Sequence, residues 1–543
     1  MFNKTQNNQT MKSNIAYFIG LLLFIMAYSS CKKSEQLAED PYAGGKEALG
    51  IRFLNELPKP TSGSIGSEMT FAVSGLLPYK DKLKCYMNET EAEVVEVTGK
   101  TIKIKLPEGS SSGGFTIVVD GQIFFGPQFT VSGKIGYDGT FKPAIGPNGN
   151  ISQIMPLANG NMILVGSFND YEKKASLKRP INNIVLINSD GDYLPSFASG
   201  LGSDGSLNTI ARLTNGQYMI GGSLSSYNNR KSIGGLTRLN SNGSLDTTIV
   251  EVVNLTPLLP KNSFDTVAAF NGRVIGSVRK LFVYNNKSIL IGNFTNYGEY
   301  FYERSTRDRK VIGYTPMDML MRLESNGKLD ESYNFNAATK TSYEKPNGSI
   351  NDAFMEPDGK VILVGSFTRF QGTGVNRITR VDNNGMIDPT FQVGSGADGP
   401  IGTIRFNVTT QKYMVSGAFK TFNGKAANGM VMLKKDGSVD ESFNMGTMEG
   451  GSISFSAQLS NGLVIVTGSF NKYNGVIRQG FMVLNPNGTL ADGYNTTGVF
   501  QGIVNDIYET TSPQGFPAFI MAGFILKFDN RAVPNIIKVV YAP

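Results

Sequence analysis

One sentence is written into this chain seven times. Between Lys360 and Phe391 it reads KVILVGSFTRFQGTGVNRITRVDNNGMIDPTF, and its parts return as NMILVGSFNDY, QYMIGGSLSSY, SILIGNFTNY, KYMVSGAFKTF, LVIVTGSFNKY and, worn down, AFIMAGFILKF. Repetition of this kind constrains the fold more than any composition does, because one unit cannot bury its own apolar face and must stack on its neighbours. In the fullest copy the unit is an apolar strand (Ile350 to Met355), an Asp358-Gly359 turn and a second strand (Val361 to Phe367). After a variable stretch come a third strand (Arg377 to Val381), an Asn384-Gly385 turn and Asp388 to Phe391. Asp-Gly or Asn-Gly between apolar runs is a hairpin signal, expected here with both turn residues at positive φ. A period of roughly 50 to 70 residues with four strands per unit is propeller spacing.

The centres of the repeats are Gly166, Gly222, Gly292, Gly365, Gly417, Gly468 and a degenerate Gly523. The last copy ends at NIIKVV without its D-x-S/T-F strand, which stands instead at the front as YDGTF, Tyr137 to Phe141. These residues predict an all-β region over 134–543, a seven-bladed β-propeller closed by a strand near residues 134–141, with no open sheet edge. The repeated glycines are expected where backbones approach closely, and the phenylalanines between blades. Asp246, Asp330, Asp388 and Asp440 recur in separate units, which fits bonding to nearby backbone N–H groups in a turn better than a calcium loop. The signature resembles the delta-sixty repeat family over about Lys134 to Pro543, and that resemblance implies architecture rather than chemistry.

Residues 55–132 alternate apolar and polar positions, as at Ile102, Ile104 and Leu106, with Gly and Pro clusters between short runs. That pattern predicts a β-sandwich. The order PKPTSGSIGSEMTFAVSGL, then VTGKTIKIKLPEGSSSGGFTIVVDG, resembles the immunoglobulin-like IPT/TIG family and implies a spacer or packing module. Ahead of it, a start at Met11, a basic Lys12, an apolar run from Ile15 to Tyr28 and small residues make residues 1–30 an export signal. Cys31 after Ser29-Ser30 resembles a bacterial lipobox, which implies lipidation at Cys31 and a membrane partner through that anchor, with 31–54 as a polar tether. The layout resembles Bacteroides-type lipoproteins, which implies the outer membrane, the cell surface before its periplasmic face.

Composition removes whole classes of function. The 543 residues contain no His and no Trp, so Ser-His-Asp or Cys-His chemistry and His-ligated metals are out. Beyond Cys31 the one cysteine is Cys85, read as a small buried strand residue. The formal charge of +7 is scattered rather than striped, so no nucleic-acid partner is expected. No cofactor and no metal are expected either. The strands that would line a central channel show no outstanding Asp, Glu or Arg cluster.

Function is expected where the copies differ, in the long insertions Asn169–Asn182, Val250–Gly276, Asn296–Pro316 and Asn334–Ser349. In a four-stranded blade all four fall on one face, opposite the tight turns. The third insertion carries Tyr297, Tyr300 and Tyr302 with Arg304, Arg307 and Arg309. Aromatic faces suit sugar rings and arginines suit carboxylate or sulfate groups. These are the candidate ligand-binding residues; packing of the same loop onto the scaffold is the competing reading. The expected function is a non-catalytic lipoprotein binding a glycan, another polymer or an outer-membrane partner protein, accessory to nutrient uptake. A structural or adhesive envelope component and a His-independent polysaccharide lyase or hydrolase are the alternatives.

Overall fold

The computed structural model describes residues 47–143, 145–255 and 263–542. The export signal, Cys31, most of the tether and the tip of the second insertion lie outside them. The architecture is all-β. An N-terminal curled sheet resembles an Ig-like sandwich, and small antiparallel sheets consistent with propeller blades follow it.

The N-terminal sheet is built from the expected alternation. Along Glu68–Ser74, Thr101–Lys105 and Gly113–Val119 every second residue is buried, so Phe71, Ile102, Ile104, Phe115 and Ile117 share one core. Phe71 stacks on Phe115 with centroids 3.9 Å apart. Cys85 is fully buried, and burial pushes its thiol up to about 12, as expected of a packing residue.

Seven larger sheets follow among the described residues. Their first strands are Asn150–Pro156, Leu207–Arg212, Gly272–Tyr284, Ile350–Met355, Ile401–Asn407, Ile453–Gln458 and Gln501–Thr511. Each first strand packs on the next, and Gln501–Thr511 also packs on Asn150–Pro156. Apolar side chains fill the gaps between consecutive sheets, for example Tyr413, Val415 and Ile404 against Ile362 and Val364. Between the seventh sheet and the first, Ile520, Ala522 and Ile536 meet Ile151, Ile154 and Leu164. The short strand Ile135–Tyr137 pairs antiparallel with Ile536–Tyr541 at the edge of the seventh sheet.

Two local expectations are corrected. The fourth strand is not a regular strand in the first six sheets but a single bridge, such as Val381 to Ile387, followed by the D-x-S/T-F turn. The Asp-Gly and Asn-Gly turns after the first and third strands do not place both residues at positive φ, whereas Asn423-Gly424 and Asn474-Gly475, between second and third strands, do. In the fourth sheet only Gly359 does so, at 88°, and the loop closes by Gly359 N–H to Glu356 O and Glu356 N–H to Lys360 O. This is a type I turn with a left-handed glycine, the three-residue alternative to the two-residue hairpin.

Asp330, Asp388 and Asp440 act as turn residues, as expected, whereas the Asp246 carboxylate accepts from Arg238 Nε at 2.7 Å and a strand follows it. Asp388 Oδ1 accepts from the Thr390 N–H and hydroxyl, at 3.0 and 2.6 Å. Its Oδ2 accepts from Arg380 Nε and Lys360 Nζ, both at 2.9 Å. Asp330 repeats this with Ser332, Arg322 and Lys287. Burial alone would raise both carboxyls, but these hydrogen bonds and cations hold them well below the ordinary range. Their stabilisation is therefore full above the unfolded carboxylate value of about 4 and is lost as pH falls through the depressed folded values. An Asp388→Asn chain is expected to be about 3 kcal/mol less stable at pH 7. Urea midpoints at pH 7 and pH 3 should also lie closer together for it than for the native chain.

The repeated glycines are explained by close approach. In each sheet the first strand carries a β-bulge beside the glycine of the second, as between Ile350 and Asp352 opposite Gly365. A Cβ on any of Gly166, Gly222, Gly292, Gly365, Gly417, Gly468 or Gly523 would lie 2.0 to 2.3 Å from a backbone carbonyl oxygen at that bulge. Gly365→Ala is expected to cost about 2 kcal/mol or more by overpacking. Gly374→Ala, where a Cβ meets nothing within 4 Å, is the control, and thermal melts of the two decide it.

Candidate functional site

The bulge has a second effect. It inserts one extra residue into each first strand, and bulges re-aim side chains. The seven extra residues are Ser152, Asn208, Arg279, Asn351, Gly402, Ser454 and Asn505, and all seven line one cavity of about 380 Å³. The bulges lie opposite the ends of the second strands. The cavity therefore opens toward the face that carries the connections between second and third strands, where the long insertions also lie.

Residues at or just after five of the seven bulges bond one sheet to the next. Asn208, Asn351 and Asn505 donate from Nδ2 to the carbonyls of Val278, Ile401 and Ile151 in the following sheets, each at 2.8 Å. One residue further on, Gln153, Thr209, Asp352 and Asp506 accept from the backbone N–H groups of Ile210, Leu281, Ile404 and Ile154. The last of these runs from the seventh sheet to the first. These positions are half-buried or buried, so the bonds replace water that the strands would otherwise lose.

A charge cluster crosses the cavity floor, which corrects the expectation that no such cluster exists. Asp352, 3% exposed, pairs with Lys280 at 3.0 Å and Arg405 at 2.5 Å. Arg405 also donates to Asn505 O at 2.6 Å and lies over the Phe455 ring, 5.0 Å from its centroid. Four consecutive sheets, the fourth to the seventh, thus meet on one guanidinium. Burial pushes the Asp352 carboxyl up, but Lys280, Arg405 and the Ile404 N–H outweigh it and hold it at about 2. Asp506 differs: burial raises it above the ordinary carboxylate value despite Arg405. The cluster is hard to see in the sequence because its members come from three repeats. Lys280, Asp352 and Asp506 share one column, but that column also holds Gln153, Thr209, Thr403 and Phe455, and Arg405 lies in another. The signal available was the presence of charge inside first strands that must stack on their neighbours.

The third insertion is placed as follows. Tyr297 is buried and its hydroxyl donates to Gly327 O at 2.9 Å. Tyr171, Tyr227 and Tyr473 make the same bond to Gly191, Gly243 and Gly488, so Tyr297 is one more copy of a scaffold residue. Tyr300 is buried, its hydroxyl accepting from Arg273 at 3.0 Å, with Tyr302 stacked on its ring at 5.7 Å. Arg304 lies exposed over the Phe301 ring, Arg307 donates from Nε to Phe264 O at 2.7 Å, and Arg309 is exposed. Ile312–Pro316 folds back on Asn296–Tyr300, and Lys310 pairs with Asp265 of the second insertion at 2.6 Å. The faces of Tyr297 and Tyr300 are thus covered by the protein, leaving Tyr302 and the three arginines at the surface. The second insertion likewise folds, as the hairpin Thr247–Val252 with Ser263–Ala268, and its end, Gly272 to Gly276, belongs to the first strand of the third sheet.

The N-terminal sheet meets the same face at the sixth and seventh sheets. The Ser112 N–H donates to Thr496 O at 2.8 Å, Asn88 Nδ2 to Gln479 Oε1 at 3.1 Å, and Asn530 Nδ2 to Ser112 O at 3.1 Å. Among the described residues no three His, Cys, Asp or Glu side chains come together to hold a metal.

Comparison with known proteins agrees with two parts. Residues 26–127 match a family described as a domain of unknown function, DUF5008. Residues 213–248, 356–391, 412–443 and 459–490 match a β-propeller family described in the same terms, DUF5122. No curated protein matches the chain in sequence. Among solved structures, the WD40 β-propeller domain of Doa1 is 12% identical over 75% of this chain and 97% of its own, with a TM-score of 0.37. YCF48 bound to D1 peptide is 10% identical over 76% and 96%, also at 0.37. An auxiliary nutrient binding protein from Bacteroides ovatus is 11% identical over 91% and 99%, at 0.31.

Removing Asp352 strands two cations in a largely buried place. Asp352→Ala is expected to cost about 3 kcal/mol, and Arg279→Ala, which leaves the cluster paired, about 0.5 kcal/mol or less. Urea midpoints at pH 7 measure both.

Proposed function

We propose that this chain is a non-catalytic binding protein whose repeats close into a seven-bladed propeller and whose axial cavity takes a polymer, a glycan before a peptide. The observation that carries the reading is the convergence of seven bulge residues, one per sheet, on a single cavity. Its wall is mainly amide and hydroxyl side chains, with Asn150, Asn208, Asn293 and Asn505 among them. Such groups match the donor and acceptor pattern of sugar hydroxyls. Closure is supported by the apolar contacts and the Asn505 and Asp506 bonds between the seventh sheet and the first. A binding role is favoured over catalysis because Asp352 is held ionised by two cations, and both oxygens of Asp506 accept backbone N–H groups. Neither carboxyl is free for proton transfer.

In this reading residues 1–30 are an export signal and 31–54 a tether lipidated at Cys31, which holds the protein at the outer membrane, facing the cell surface. Residues 55–132 are a spacer and 134–543 the propeller, acting beside a nutrient-uptake system. Tyr302, Arg304, Arg307 and Arg309 on the same face give a second contact for the polymer or for a partner protein.

Affinity electrophoresis of the full chain in mild detergent, through gels containing plant and host polysaccharides, tests the reading. Gly402→Phe fills the cavity from the one bulge residue without a side chain, where a Cβ has only ordinary contacts, the nearest at 3.5 Å. Retardation by at least one polysaccharide is expected, lost in Gly402→Phe and at most weakened in Tyr302→Ala/Arg304→Ala. Loss in the second variant alone would move the site to the insertion. Mobility unchanged in every gel would reject polysaccharide binding.

A further inference from the structure

We propose that the axial cavity selects an acidic glycan, one bearing carboxylate or sulfate groups, and that Arg279 is the residue that recognises the anion. This rests on the reading of the cavity as the binding site and adds its charge preference. The charged residues of the cavity wall are Arg279, Lys280, Arg405 and Asp352, three cations against one carboxylate. That single carboxylate is already committed. Its two oxygens are held by Lys280 and Arg405, so it has little charge left to offer Arg279.

Arg279 itself is arranged differently from the other two. It is the only charged residue among the seven bulge positions, and it is exposed at the cavity wall. One of its terminal nitrogens, Nη1, donates to Asn351 O at 3.2 Å. Among the described residues no carboxylate lies within ion-pairing distance of it. The rest of its donor fork is open, and a planar fork of N–H groups matches a carboxylate or sulfate edge with two parallel hydrogen bonds. Ser277 and Asn293 stand beside it on the same cavity wall, with groups suited to neighbouring hydroxyls. A peptide carboxylate would satisfy Arg279 equally, but the wall offers only Ile503 and Val504 as apolar contacts for an adjoining side chain. The sugar acid is the better fit.

The test uses the full chain in mild detergent at about 150 mM NaCl, so that weak long-range attraction is screened. Gels contain polygalacturonate, alginate or chondroitin sulfate, and parallel gels contain dextran, fully methyl-esterified polygalacturonate or, as the peptide polyanion, poly-glutamate. Arg279→Ala lowers the formal charge only from +7 to +6, so unspecific attraction to polyanions persists in it, and Arg279→Gln checks that the loss follows charge rather than packing. Retardation by an acidic polymer at least tenfold stronger than by its neutral counterpart, and reduced at least tenfold in both Arg279 variants, is the expected result. Equal retardation by acidic and neutral polymers, or none lost in the Arg279 variants, overturns the charge preference. If Gly402→Phe still abolishes binding in that case, the cavity remains the glycan site. Retardation in no gel, or binding of poly-glutamate alone, overturns the acidic-glycan assignment, and the first of these removes the glycan reading with it.

Discussion

A carbonyl oxygen that leaves no room for a methyl group governs this molecule. In each of seven sheets the first strand bulges and drives a backbone carbonyl to within 2.0 to 2.3 Å of where a Cβ would stand on the second strand. Only glycine fits there. The bulge costs the strand a ladder position, and in return it frees one residue per sheet from the alternation that would otherwise direct it between sheets. A feature that looks like pure scaffold in the repeat therefore builds the cavity wall.

The same irregularity couples the sheets. Residues at and after the bulge reach across to the next sheet's backbone, so the position that faces the cavity is adjacent to the position that sets sheet spacing. Asn351 and Asp352 illustrate the coupling: one bonds Ile401 O, the other Ile404 N–H and two cations. Between the fifth and sixth sheets Gly402 and Thr403 supply no such bond, and Arg405 lies over Phe455 instead. Charge on this wall is thus partly a structural substitute for a missing staple, and Arg279 stands apart because one nitrogen alone bonds the next sheet, at Asn351 O, while the rest of its fork pairs with no carboxylate among the described residues.

Much of the fold is legible in the sequence because the repeat exposes whatever every unit needs. The glycines, the D-x-S/T-F aspartates and the displaced segment near Tyr137 all recur or stand out as gaps in recurrence. The site is less legible for the complementary reason. Ser152, Asn208, Arg279, Asn351, Gly402, Ser454 and Asn505 occupy one structural position with differing residue types, and a repeat consensus discards such a column. The third insertion misleads in the opposite direction. Its aromatic pattern groups Tyr297 with the ligand candidates, although that residue fills the place of Tyr171, Tyr227 and Tyr473. Turn type also escapes, because Asp-Gly serves a type I turn with a left-handed glycine as readily as a two-residue hairpin.

The pairing of Ile135–Tyr137 with Ile536–Tyr541 sets a temporal order on folding. A strand made early must wait roughly 400 residues for its partner, although the entropy of closing so long a loop grows only slowly with length. The intervening sheets pair within themselves, so they can form before the two ends meet. Until then the edge of Ile135–Tyr137 is unpaired, and the molecule is most open to association with other chains during that interval.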